Sequence, residues 1–271
     1  MNKMPQDQDL IFPDISWNGV QFFTTTRAGG VGLPPYDTFN LGMGAGDDPA
    51  FVSANRQRLR ARIPSDPIWL KQVHGHSVVD GDVPPTDLNA LLDAPPSADA
   101  SVTTVPGRVL AILTADCLPV VMADGQGTVL GVAHAGWRGL ASGVLENTLD
   151  QMRQRKPNAS GWRAWIGPGI GKTVFQVGDE VRVAFEGHGA DQPGLFVPDP
   201  TTPGKWLADL PGLACWRLRQ YGIQDIELSG LCTVTDPLGR FYSYRRDKVT
   251  GRMATIAWLS GERHVGDIKS V

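Results

Sequence analysis

Apolar positions Val52, Leu59 and Ile63 share one helical face between Pro49 and Ile63. Asp48 can cap that helix, Pro49 suits its first position and Pro64 stops it. After Gly136 the same period continues through Leu140, Val144, Leu145, Leu149 and Met152. Arg153 and Arg155 oppose the negative end of this helix, and Pro157 follows. A third helix is predicted from Lys205 to Tyr221, carrying Leu207, Leu210, Leu213 and Leu218 and closed by Gly222. A shorter one starts at a capping Asp179 and ends near Gly187.

Other segments, rich in β-branched and aromatic residues, read as strands: Val20–Thr25, Arg108–Thr114, Leu118–Met122, Thr128–Ala133, Trp162–Ile166, Ile226–Leu231 and Met253–Leu259. Helices interleave with several of them, and one pair looks like a hairpin. The pattern therefore predicts a mixed α/β (α+β) fold, a single domain over residues 1–271 with a mixed sheet covered by helices in αβα-like layers. Residues 81–98, with Pro84-Pro85 and Pro95-Pro96, read as a long surface excursion, and residues 1–10 as a flexible tail.

Composition narrows the class. Hydrophobic residues at 41% and charged residues at 20% fit a folded globular protein, and no apolar run nears the ~18 residues of a membrane span. A formal charge of −3 supplies no field to collect polyanions, so neither nucleic acid nor a membrane is expected as a partner, while a local anion site stays open. The first residues lack the basic patch and apolar stretch of a secretory signal, which predicts a cytoplasmic protein. Three widely spaced cysteines read as thiols, not as a disulfide framework.

The most informative stretch runs from Thr114 to His134. Two apolar runs flank Asp124-Gly125-Gln126-Gly127, and a two-residue loop at Gly125-Gln126 puts Cys117 directly across from His134. Their Cβ atoms then lie roughly 4.5–5.5 Å apart, close enough to share a metal or to act as nucleophile and base. The plain alternative is a buried cysteine beside a core histidine. His74 and His76 share a face if their segment is extended, and His74 can complete a Cys/His/His set with an open fourth position. His76, His188 and His264 read as exposed or structural.

Candidate anion and base contacts surround these residues. A helix opening at Gly136-Trp137-Arg138 points free N–H groups toward His134, Arg138 adds a donor fork suited to phosphate, and Trp137 can stack on a planar base. Turn glycines, a solvated arginine and a sheet-packed tryptophan are the plain alternatives. Ile166-Gly167-Pro168-Gly169-Ile170-Gly171 lets a ligand approach the backbone but matches neither a P-loop nor a dinucleotide fingerprint. Thr24–Gly30 leaves a strand into a turn that offers a second guanidinium, Arg27.

At these residues the sequence resembles the YfiH family, the laccase-domain or polyphenol oxidase proteins regarded as zinc-dependent purine nucleoside phosphorylases. The matching pieces run in family order from Thr24 to Asp247: TTTRAGGVG with PYDTFNLG, GDDP followed by Asn55-Arg56, LKQVHG, Ala98-Asp99-Ala100, TADCLPV, GVAHAGWRG, IGPGIG, FQVGDEV and FYSYRRD. Gly32 and Phe39 depart from the family's more usual serine and leucine.

The resemblance implies Zn2+ held by His74, Cys117 and His134, with Cu2+ as a possible substitute. It implies a transferase that cleaves adenosine, inosine, guanosine and methylthioadenosine with phosphate, and a hydrolase activity that deaminates adenosine. In that chemistry Asp116 carries protons or orients His74 or His134, Arg27 or Arg138 holds phosphate, and Gln72 and Trp137 contact substrate. Three other readings compete: a copper-dependent polyphenol oxidase, a hydrolase with Cys117 as nucleophile and His134 as base, and a non-catalytic nucleotide-binding module. Five histidines in the whole chain are too few for a multicopper centre of the usual kind.

Overall fold

The computed structural model describes residues 9–83, 95–186 and 193–261. The chain runs β1 (Leu10–Ile11), β2 (Val20–Thr25), α1 (Pro49–Arg60), β3 (Val78–Asp80), β4 (Ala100–Thr103), β5 (Leu110–Thr114), β6 (Leu118–Ala123) and β7 (Leu130–Ala135). Then come α2 (Trp137–Ala141), α3 (Val144–Arg155), β8 (Arg163–Ile166), β9 (Gln176–Val177), α4 (Asp179–Glu186) and β10 (Phe196–Pro198). It closes with β11 (Trp206–Ala208), α5 (Leu210–Gln220), β12 (Asp225–Leu228), α6 (Tyr244–Asp247) and β13 (Met253–Leu259).

The mixed α/β class holds, with the strands shared among three sheets. One is antiparallel, β1-β2-β13-β5; one is mixed, β12-β8-β6-β7-β4-β3; and a small one joins β10-β11-β9. Alternation along the strands decides how they stack. In β6, Leu118, Val120 and Met122 meet Leu145, Leu149 and Met152 of α3 and Leu213 and Leu218 of α5. The intervening Val121 and Ala123 join Leu130 and Val132 of β7 against Phe22, Leu110, Ile112 and Ala257 of the antiparallel sheet. That sheet turns Phe23, Ala111 and Ile256 the other way, onto Leu59 and Ile63. The layers are therefore helix, sheet, sheet, helix, one deeper than αβα, because both sheets are apolar on both faces.

Local signals explain most element ends. The Asp48 side chain accepts the Ala50 N–H at the start of α1, as expected. The helix expected after Gly136 is broken in two: Gly143 takes φ 92°, a left-handed conformation that ends α2 and restarts the chain as α3. The helix expected from Lys205 begins only at Leu210, where Asp209 caps it, and Trp206–Ala208 is a strand pinned to β10 and β9. Leu10, at the end of the expected tail, pairs with Thr25 in β1; residues 1–8 lie outside the described part, as do residues 84–94 of the excursion, His188 and His264.

The hairpin carries a correction in register. Ala123 faces Leu130 and Pro119 faces His134, so the connection spans Asp124–Val129 instead of two residues. Asp124 fills this longer turn by accepting the N–H groups of Gln126, Thr128 and Val129. Cys117 is thus offset from His134 by two positions, and a shift of two leaves both on the same face of the pleat. That face is the one carrying Leu130 and Val132 toward the second sheet, so the pair sits at the end of the seam between the sheets.

Candidate metal centre and its cavity

His74, Cys117 and His134 converge: one ligating atom from each lies within 4.8 Å of the other two. Cys117 Sγ is 3.9 Å from His74 Nε2, and the two imidazole rings meet edge to face at 4.8 Å between centroids. His134 is fixed by its strand and is 3% exposed, whereas His74 sits on a loop, exposed, with φ 60°. Its left-handed backbone means that His74 and His76 do not share a face as expected, and His76 stays exposed.

The loop is held in this conformation by Asp99. Its carboxylate accepts the N–H groups of Val73, His74 and Gly75 at 2.7–3.1 Å, and its Oδ1 also lies 2.8 Å from His134 Nδ1. One carboxylate therefore orders two of the three converging side chains and directs His134 Nε2 toward them. Gln72 adds a second clamp, donating through Nε2 to Leu113 O and accepting Leu113 N–H at Oε1, so it serves the loop as well as facing the cavity. Gly136 permits the convergence: a Cβ there would lie 2.9 Å from Cys117 Sγ and 3.1 Å from His74 Cδ2.

Electrostatics favour a thiolate. Burial alone would raise the Cys117 thiol, but His134 and His74 beside it hold its pKa well below the ordinary value. Burial would lower His134, but the Cys117 thiolate and Asp99 raise it well above an ordinary imidazole. Two imidazoles and a thiolate suit zinc or copper far better than magnesium or calcium, and three protein donors leave a fourth position for water or substrate.

The cluster opens on a cavity of about 870 Å³ walled by Trp69, Trp137, Phe175 and Tyr244. Gln72, Asp116, Trp137 and Arg138 all line it. Arg27 does not: its guanidinium is bound by Asp37 at 2.9 Å and lies 5.1 Å from the Tyr242 ring centroid. Asp116 is 8% exposed with φ 96°; Oδ1 accepts the Thr233 hydroxyl and Oδ2 the Arg245 N–H, both at 2.6 Å. It orders the turn beside Cys117, and Asp99 takes the histidine-orienting part that sequence reading offered to Asp116.

Other expectations shift too. The helix opening at Trp137 has five residues, too short for a strong N-terminal field, although Arg138 and Trp137 remain at the cavity with the guanidinium 4.3 Å from the ring centroid. The Gly167–Gly171 turn serves packing: a Cβ on Gly169 would lie 2.5 Å from Leu118 Cδ2, and Ile170 N–H donates to Asp116 O. Cys215 is buried and Cys232 partly exposed, and both are free thiols. Sequence reading assigned no role to Asp99, Arg56, Arg245 or Arg252; the first three lie within or beside motifs quoted above, whereas Arg252 carries no such signal.

Residues 21–260 match a family model described as multi-copper polyphenol oxidoreductase laccase. The chain is 45% identical over 243 residues to purine nucleoside phosphorylase YfiH of Escherichia coli K12, covering 89% of this chain and 94% of that protein. It is also 45% identical over 240 residues to a purine nucleoside phosphorylase of Pseudomonas aeruginosa, covering 89% and 93%. Among solved structures, a Neisseria meningitidis protein of the family model DUF152 superposes with TM-score 0.83 at 37% identity, covering 93% of this chain and all of that one. A Bacillus licheniformis YfiH structure gives TM-score 0.84 at 29% identity, covering 93% and 97%.

Proposed function

We propose that this chain, which belongs to the multi-copper polyphenol oxidoreductase laccase family, is a zinc-dependent purine nucleoside phosphorylase with adenosine deaminase activity. The observation that carries the reading is the convergence of His74, Cys117 and His134 on a cavity with aromatic walls and several cations. Relatives sharing 45% of their residues with it bear the name purine nucleoside phosphorylase. Adenosine, inosine, guanosine and methylthioadenosine are the proposed substrates, with phosphate.

In phosphorolysis a phosphate oxygen forms a bond to ribose C1′ as the C1′–N9 bond breaks, and the electron pair leaves on the purine, which takes up a proton. Zinc, when bound by the cluster, supplies a Lewis acid that can withdraw charge from a departing base or acidify water for deamination. The aromatic walls, Trp137 among them, hold the purine and exclude water from it. Asp116 lines the cavity beside Cys117 and is assigned the movement of the proton.

A second reading draws on the line Asp99, His134, Cys117, which is also the order of a cysteine hydrolase's orienting acid, base and nucleophile. His74 has no part in such a triad, yet its loop is held by three N–H bonds to Asp99. A multicopper oxidase is disfavoured because the whole chain has five histidines. Metal analysis with chromatography separates these. About one zinc per chain, ribose 1-phosphate from inosine only with phosphate, and inosine from adenosine are expected. Cys117→Ala and His134→Ala should lose both activities and Cys232→Ala keep them; full turnover in all three variants would overturn the site.

A further inference from the structure

The arginines divide by their partners. Arg155, Arg163, Arg217 and Arg240 each meet a carboxylate: Asp80, Asp225, Glu146 and Asp236. Arg56 and Arg252, in contrast, line the cavity and form no ion pair among the described residues. Burial lowers the pKa of both, Arg56 to about 10. Both side chains are half-buried, and a partly desolvated cation without a counter-ion carries a penalty that a ligand anion would offset.

The two are built into one unit. Arg56 Nε donates to Leu41 O, and Leu41 N–H donates to Arg252 O. Asn40, fully buried, accepts Arg252 N–H and Gly42 N–H on one side-chain oxygen, and Asn55 donates to the Asn40 carbonyl. The Arg56 guanidinium stacks 4.0 Å above the Trp69 ring, which leaves the edge of its fork for a ligand. Arg252 spends Nη1 on the carbonyls of Thr250 and Gly251, and its charge senses those of Cys117 and Asp116.

A third group completes the set. Thr114 is 2% exposed, lines the same cavity, and its hydroxyl finds no hydrogen-bond partner. It is the last residue of β5 and pairs with Met253, the residue after Arg252, which brings the orphan hydroxyl to the same strand end. An unpartnered buried hydroxyl is costly unless a ligand satisfies it.

We infer that Arg56, Arg252 and the Thr114 hydroxyl form the oxyanion subsite of this enzyme, and that its occupant is inorganic phosphate. The inference rests on the phosphorylase reading and moves the phosphate from Arg27, held by Asp37, and from Arg138, exposed over the Trp137 ring, to half-buried arginines of the cavity that Cys117 also lines.

Equilibrium dialysis of the zinc-loaded protein against labelled inorganic phosphate, without nucleoside, tests the subsite; ribose 1-phosphate formation tests the reading beneath it. Arg56→Met and Arg252→Met should each weaken phosphate binding and raise the KM for phosphate by roughly 10- to 100-fold. The KM for inosine and the zinc content should stay near native values, and Thr114→Val should give a smaller loss of the same kind. Arg62→Met, at an exposed position, serves as the control. In the native protein, phosphate should shield Arg56 and Arg252 from phenylglyoxal, which guards against variants that misfold.

Native phosphate binding in both arginine variants, or no shielding, overturns the subsite. Binding that depends on these arginines in a native protein that makes no ribose 1-phosphate overturns the phosphorylase reading alone. Adenosine monophosphate bound more tightly than phosphate, with the same dependence, assigns the subsite to a nucleotide and overturns inorganic phosphate as its occupant.

Discussion

Asp99 holds His134 through a 2.8 Å bond to Nδ1 and, with the same carboxylate, accepts the N–H groups of the loop that carries His74. Two candidate metal ligands from distant parts of the chain therefore share one anchor. Asp99→Ala should weaken zinc affinity by about 10- to 100-fold, read by competition with a chromogenic chelator. Asp99→Asn, which keeps a carbonyl acceptor for the loop, should recover part of the loss. Unaltered zinc affinity in both would remove Asp99 from the metal centre.

Gly136 offers a steric test that leaves every donor in place. An alanine Cβ would press on Cys117 Sγ at 2.9 Å and on His74 Cδ2 at 3.1 Å. Gly136→Ala should cost roughly 10-fold or more in metal affinity, while the thermal transition of the metal-free protein moves little. A variant that binds zinc like the native protein would show that the three donors need not come this close.

The charge state of Cys117 gives a pH dependence. Its pKa is held down to about 6, against burial and by His134 and His74, so the thiolate persists above that value and is lost as pH falls through it. In metal-stripped protein, alkylation of Cys117 by iodoacetamide, followed by peptide mass spectrometry, should keep its rate from pH 8 down to near 6 and fall below. A midpoint at an ordinary thiol's value would contradict this electrostatic account.

Stability is tested far from the site, at Arg217 and Glu146. This pair joins α5 to α3 with side chains only 9% and 16% exposed. Removing one partner strands the other charge in a poorly solvated place, so Arg217→Met should destabilise the fold by roughly 3–5 kcal/mol. Urea denaturation at unchanged slope measures it.

Much of the fold was legible because burial leaves a periodic trace. Val20–Thr25 and Met253–Leu259 match their strands end to end, and Asp48 and Pro49 mark the start of α1. Strands of two or three residues are too short to show a period: Gln176–Val177 drew no assignment, and Trp206–Ala208 fell inside the helix expected from Lys205. A glycine in a helical pattern does not announce its sign of φ, so the break at Gly143 was invisible.

The candidate site divides along the same line. Cys117 and His134 could be paired from hairpin chemistry, and a register error of two positions left them on one face. Arg27 and Arg138 stand out in the sequence because each follows a strand into a glycine-containing turn, whereas Arg56 lies inside a helix and Arg252 has no strand leading into it. Whether an arginine already has a carboxylate depends on Asp37 folding back onto it, which sequence spacing does not record. Asp99 acts only where the loop of residues 73–75 meets the strand of His134, so its part emerges with the tertiary fold.

Cys117 and His134 come from one hairpin, its strands locked into the six-stranded sheet, whereas His74 arrives on a separate arm pinned largely through a single carboxylate. The grip thus has a fixed jaw and a movable one. Capturing an ion and seating that arm are the same event, so loss of the ion should be felt first as faster amide exchange at residues 73–75, long before the sheet itself loosens.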